Sequence, residues 1–165
     1  MAKANINAAA KDGVTPIAIA ALKGHLAAVQ ELIGAEADLE AVDKDGLCPV
    51  HQAAKGGSAE VARVLLAAGA DTGAAGGQDN STALHLAAEA GHVEVISELL
   101  EAGANFEQPK TGGLTALHVA AQAGQVGSVK ALLAAGADRT NPADDGRTAL
   151  DLAKPDSGVA EALQG

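Results

Sequence analysis

The sequence predicts a mostly α-helical solenoid of stacked helix–turn–helix units, with hairpin-like finger loops between them. Three observations predict it. First, one anchor recurs: Gly13-Val14-Thr15-Pro16-Ile17, Gly46-Leu47-Cys48-Pro49-Val50, Asn80-Ser81-Thr82-Ala83-Leu84, Gly113-Leu114-Thr115-Ala116-Leu117 and Gly146-Arg147-Thr148-Ala149-Leu150. Its Thr slot falls at 15, 48, 82, 115 and 148, in steps of 33, 34, 33 and 33, and self-similarity sustained at this period marks a repeat array. Second, each of the first four anchors leads into a short apolar run ending in Gly, then a second run with apolar residues at helical spacing. Third, hydrophobic residues make up 48% of the chain, yet there is no Trp, no Tyr and one Phe, Phe106. Ala, Leu and Val allow short helices to stack closely, where a thick globular core would use aromatic anchors.

The elements of one unit follow in order. Thr at the anchor offers a hydroxyl N-cap to the first helix, and Pro16 and Pro49 follow it, where a missing N–H costs nothing. The first helix is Ala18-Ile19-Ala20-Ala21 up to Gly24, His85-Leu86-Ala87-Ala88 up to Gly91, and His118-Val119-Ala120-Ala121 up to Gly124. The second carries Val61, Val64 and Leu65, or Val95, Ile96 and Leu99, on one face. Gly69-Ala70-Asp71, Gly103-Ala104-Asn105 and Gly136-Ala137-Asp138 close the unit. These Gly positions suit a left-handed backbone, and Asn80, standing for Gly in the third anchor, is the next-best residue for it. Glu36 occupies the slot of Gly69, Gly103 and Gly136, where a left-handed conformation costs a non-Gly residue about 1 kcal/mol.

A period of about 33 with Thr-Pro-Leu-His-x-Ala-Ala and Gly-Ala-Asp resembles the ankyrin-repeat family. The resemblance runs from about residue 10 to 143, with a shortened unit after it. It implies a helix–turn–helix plus a finger-like hairpin per repeat, and partners bound by the fingers and the concave face of the first helices. The expected organisation is one domain, 1–165. Residues 1–9 form the tail of a truncated repeat, 10–42, 43–76, 77–109 and 110–142 form units 1 to 4, and 143–165 form a shortened cap, unit 5. The tail is Ala4-Asn5-Ile6-Asn7-Ala8, which suggests a domain cut from a longer polypeptide. In unit 5, Pro155 stops the first helix early, the second helix is short, and Asp151 replaces His.

Charge and composition narrow the function. Eleven Lys and Arg against 21 Asp and Glu give a net charge of −10, which repels nucleic-acid phosphates and anionic lipid heads and favours basic protein partners. No apolar run approaches the roughly 18 residues of a membrane span, and the N-terminus lacks the apolar core of a signal peptide. Cys48 stands alone, which suits a reducing compartment, cytoplasm or nucleus. It occupies the Thr slot as a small buried side chain, with no basic residue beside it to make a redox sensor.

Catalytic and metal motifs are missing. There is no Gly-x-Ser-x-Gly elbow, phosphate loop or His-Glu-x-x-His, and no catalytic residue, metal ligand or cofactor is expected. His51, His85 and His118 recur one repeat apart. Packed helices lie roughly 8–10 Å apart, whereas zinc ligands must reach about 2.0–2.1 Å from one metal, so these histidines are expected to hydrogen-bond within and between repeats. His25 and His92 receive the same structural reading. Asp12, Asp45, Asp79 and Asp145 recur before the turn and are expected to bond local backbone.

The candidate binding residues are Val14, Leu22, Lys23, Lys44, Leu47, Lys55, Gly56, Glu89 and Leu114. Val14, Leu22 and Leu47 are expected to form an exposed apolar patch. Gly56, Ala90 and Ala123 are expected to leave the concave floor low, with room for a partner's aromatic side chains. Lys11, Lys23, Lys44 and Lys55 gather in units 1 and 2, and Glu89, Asp144 and Asp145 in units 3 to 5, so the surface is polarised along its length. The resulting expectation is a monomeric, non-enzymatic module binding a protein or peptide that carries basic or aromatic groups. The alternatives are a stiff spacer, or a regulatory segment of an enzyme whose catalytic part lies elsewhere.

Overall fold

The structure is a computed structural model describing residues 6–165. Ala4 and Asn5 of the expected repeat tail lie outside the described residues. Among the described residues ten helices follow in pairs: α1 (Pro16–Leu22) with α2 (Leu26–Gly34), α3 (Pro49–Gly56) with α4 (Ala59–Ala67), α5 (Ala83–Ala90) with α6 (Val93–Glu101), α7 (Ala116–Ala123) with α8 (Val126–Ala134), and α9 (Ala149–Leu152) with α10 (Val159–Gln164). Odd helices pack on odd, and even on even through α8 with α10, so the array is two layers of helices with one continuous core. Ala20 and Ala21, and their counterparts Ala53 and Ala54, Ala87 and Ala88, and Ala120 and Ala121, are all buried. Behind them Leu65, Leu99 and Leu132 are sealed completely. Small side chains at the odd-helix seam let neighbouring backbones approach. No helix among the described residues is long and apolar enough to cross a membrane.

The helix starts differ from expectation in one respect. Thr15 caps as predicted, its hydroxyl accepting from the N–H of Ala18 at 3.4 Å. At Thr82 and Thr115 the hydroxyl faces the N–H of the third helical residue in a capping box and also donates to the Nδ1 of His85 and His118 (2.8 and 2.9 Å), while the Thr N–H donates to the same nitrogen (3.1 and 3.2 Å). Thr148 makes the same pair of bonds to Asp151, both at 2.8 Å. The third helical residue reaching back to the cap N–H is the reciprocal half of a capping box. His, and in unit 5 Asp, does here what Glu or Gln does elsewhere.

Each finger closes on one hairpin bond: Ala10 N–H to Val14, Asp43 to Leu47, Gly76 to Ser81, Lys110 to Leu114 and Ala143 to Arg147. The third spans one residue more, which locates the single 34-residue step in that finger. Fingers are also stitched to one another. The carbonyls of Asp12, Asp45, Asp79 and Gly112 accept from the N–H of Lys44, Gly77, Thr111 and Asp144, at 2.7 to 3.0 Å. Behind the second helices, Asp38, Asp71, Asn105 and Asp138 each accept from the N–H two residues on. The preceding repeat in turn caps the N–H of Asp38, Asp71 and Asp138 with Asn7, Glu40 and Glu107. Asn7 thus fills the slot of Glu40 and Glu107.

Glu36 adopts φ +62° and Asn80 φ +56°, as their slots predicted. Pro155 follows a four-residue α9, and α10 has six residues. This short unit is held by the N–H of Lys154 donating to the Ala121 carbonyl (3.0 Å) and by Arg139 donating to the Leu163 carbonyl (2.9 Å).

Candidate interaction surface

The odd helices and the fingers together line one long face. Leu22 is 38% exposed, at the end of α1 beside the exposed Lys23. Lys55 is exposed at the end of α3, Glu89 at the end of α5, and Lys11 and Lys44 on the first two fingers. Among the described residues none of these four lysines is in an ion pair. Val14 and Leu114 are half-buried.

Two expected features fail. Leu47 is only 7% exposed, so it cannot complete an apolar patch with Val14 and Leu22. Its side chain lies under the next finger, where a Cβ on Gly76 would come within 3.0 Å of Cδ2. Gly56 is exposed, but its missing side chain does not by itself leave room for a partner. A Cβ there would stand 2.3 Å from the Leu22 carbonyl oxygen, so its missing side chain admits the backbone of α1, not a partner.

The expected charge gradient is sharpened and reduced. Asp145 accepts from Arg147 at 2.8 Å and Asp79 from Lys110 at 2.6 Å, which partly neutralises both. Burial works against ionisation of Asp79, but hydrogen bonds from Lys110 and Ser81 still hold its carboxyl below the usual range. The hydrogen bond from Arg147 does the same for Asp145. Glu89 and Asp144 remain exposed and unpaired among the described residues.

Sequence reasoning missed several residues of this face. Ile19, 48% exposed, is a second exposed large apolar residue on α1, three positions before Leu22. A shallow groove of about 300 Å³ opens between α5, α7 and the fourth finger, lined by Glu89, Lys110, Val119, Gln122 and Ala123. Of these Glu89 and Ala123 were expected on this face. Lys110 escaped because its slot, the first residue of the hairpin, holds Asp43 or Gly76 elsewhere and carries no recurrent signal.

The histidines do as their spacing predicts. Nδ1 of His51 and His85 faces a backbone N–H, which can only donate, so the ring proton sits on Nε2. Nε2 donates onward to the Ser81 carbonyl (3.1 Å) and the Leu114 carbonyl (3.0 Å), in the next repeat's finger. Burial pushes both rings toward the neutral form, His85 down to about 4. Nδ1 of His118 has the same local partner, while its buried Nε2 finds none among the described residues. His25 and His92 differ from the expectation: neither ring caps its helix by a hydrogen bond, and His92 packs over Gly57 instead. Cys48 is buried, 3.0 Å from Nδ1 of His51, and burial pushes its thiol up. Of the four turn acids, Asp12, Asp79 and Asp145 accept from backbone two residues on; Asp45 does not, and Asp43 takes that part.

A family model described as ankyrin repeats (3 copies) matches residues 1–76 and 73–143. No individual curated protein matches the chain.

Proposed function

The chain belongs to the ankyrin-repeat family, whose repeats generally serve as protein–protein interaction modules, and from that premise we propose that it binds a protein or peptide along the face formed by the odd helices and fingers. The observation that carries the reading is the state of the charges on that face. In a chain of net charge −10, Lys11, Lys23, Lys44 and Lys55 stand exposed and, among the described residues, in no ion pair, in the first two units, where Leu22 and Ile19 are exposed as well. Solvated lysines with no local partner beside exposed apolar surface suit a ligand that brings carboxylates and an apolar or aromatic anchor. In units 3 and 5, Glu89 and Asp144 favour the opposite charge. The partner thus presents an acidic, apolar segment to units 1 and 2 and a basic one to units 3 to 5. We assign no catalytic step, because both nitrogens of His51 and His85 are engaged in the repeat architecture.

The test is a pull-down from cell lysate with the wild type and with a Leu22→Glu, Lys23→Glu, Lys55→Glu variant, all three positions being exposed. Circular dichroism establishes that both are folded. A protein held by the wild type and lost by the variant supports the reading. Equal retention by both removes these residues from the site, and a wild type that retains nothing specific sinks it.

A further inference from the structure

Two positions before the glycine that ends each of α1, α3, α5 and α7 stand Leu22, Lys55, Glu89 and Gln122, and all four are exposed. They form one row across the odd helices, one member per repeat. Exposure is a property of this slot in every unit, so it does not depend on what stands at either end of the array. The row changes character in chain order, from apolar to positive to negative to neutral. Neither Lys55 nor Glu89 is in an ion pair among the described residues. Glu89 also lines the groove of about 300 Å³ between α5 and α7, over the buried Val119. The other charge in that groove, Lys110, is held by Asp79 at 2.6 Å, which leaves Glu89 as its unbalanced charge.

Neighbouring members of the row are one helix spacing apart, about 8–10 Å for packed helices. Between α1 and α3 that spacing is limited by backbone contact, since a Cβ on Gly56 would stand 2.3 Å from the Leu22 carbonyl oxygen. An extended strand brings a side chain back to the same face every second residue, after about 6.6 Å, and falls short. An α-helix reaches the distance only every seventh residue, after about 10.5 Å. A polyproline II segment returns to the same side every third residue, after about 9.3 Å, and matches. Its backbone also stays solvated, which suits a face built of helices, whose N–H and C=O groups are paired within each helix. A strand would instead need an unpaired sheet edge to add to.

We propose that the partner lays a polyproline II segment across the odd helices, with one contact residue in every three. An apolar residue sits on Leu22, an acidic one three positions along meets Lys55, and a basic one three positions further meets Glu89. The aliphatic stem of the basic residue lies in the groove over Val119, beside the Gln122 amide. The pattern is the same whichever way the segment runs, because the order of contacts is set by the row and not by the polarity of the partner's chain. This inference rests on the reading that the face binds a protein, and it names the conformation and residue pattern of the segment bound. Lys55 and Glu89 act as its specificity residues: opposite charges on adjacent repeats fix the register, since a shift by one repeat sets like charges against each other.

The test is selection of a displayed library of random peptides on the whole chain, wild type and Lys55→Glu, Glu89→Lys double variant. Both side chains are exposed, so the double variant keeps its circular dichroism. The wild type is expected to enrich peptides with apolar, acidic and basic residues at successive three-residue steps. The double variant is expected to enrich the same spacing with the two charges exchanged. A peptide selected on the wild type should bind the double variant roughly tenfold more weakly. Enrichment of the same sequences on both proteins overturns the proposal, as does a two-residue or seven-residue spacing, which would mean a strand or a helix. No enrichment on the wild type overturns it too. Peptides that lack the pattern, yet are lost with the Leu22→Glu, Lys23→Glu, Lys55→Glu variant, sink the pattern and leave the binding face standing; the face itself falls only in the pull-down.

Discussion

Nε2 of His85 donates to the carbonyl of Leu114, 3.0 Å away and 29 residues along the chain, while Nδ1 accepts from the N–H of Thr82. One neutral ring thus starts its own helix and holds the next finger. A protonated ring has no acceptor to offer Thr82, so the arrangement exists only in the neutral state.

Stability should therefore fall with acid in a defined window. Burial holds the folded pKa of His85 at about 4, against 6.5 for an ordinary histidine. Between those values the unfolded chain takes up a proton that the folded one does not. Stability is full above the upper value and declines as pH falls toward the lower, by about 3 kcal/mol for this group. His51 adds to the trend in the same direction, also through burial. Urea midpoints at pH 7 and pH 5 measure it. A His85→Gln variant is expected to be less stable at pH 7 and to show a flatter pH dependence; equal slopes would remove His85 as the cause.

Glu36 holds φ +62° where Gly69, Gly103 and Gly136 stand in the other repeats. It is exposed and makes no side-chain hydrogen bond among the described residues, so nothing offsets the strain. Glu36→Gly is expected to stabilise the chain by about 1 kcal/mol, read as a rise in urea midpoint with unchanged slope. A lowered midpoint would mean that the added freedom of glycine in the unfolded chain outweighs the relief.

Gly56→Ala should act in the opposite direction. A Cβ 2.3 Å from the Leu22 carbonyl oxygen meets backbone, not a flexible side chain, so α1 and α3 must separate. The expected loss is about 1–3 kcal/mol, the range for overpacking a close contact. The control is Gly34→Ala, where the added methyl meets nothing within 4 Å. Comparable losses at both sites would refute the steric account.

Cys48 should be inert while the chain is folded. It is 1% exposed, and burial raises its thiol pKa, so both access and thiolate are suppressed. A thiol reagent at neutral pH is expected to label it only in denaturant. Prompt labelling of the folded chain would contradict the packing. Cys48→Thr restores the residue that caps α1, α5, α7 and α9 and is expected to leave the midpoint equal or higher.

Much of the fold was legible in the chain because one short interaction set is written five times. The caps at Thr82 and Thr115, the prolines at the first turn of α1 and α3, and the positive φ at Glu36 and Asn80 are local, and local geometry follows from residue type and position in the period. The second partner of the Thr hydroxyls was not foreseen: with His three residues on, the ring nitrogen accepts from the hydroxyl and the cap N–H together. Of the proposed binding face, the exposure of the lysines and Glu89 was legible, since charged side chains in recurring turn and helix-end slots seldom find a buried place.

By itself, then, the sequence determined the repeat, its register and the helix ends. Tertiary structure decided which apolar positions are covered. Leu47 and Ile19 are both large and apolar in a repeating pattern, yet one lies beneath the next finger and the other faces outward from unit 1. The reason is physical: side-chain burial in a solenoid depends on the neighbouring repeat, and the period that places a residue does not say whether anything stands in front of it.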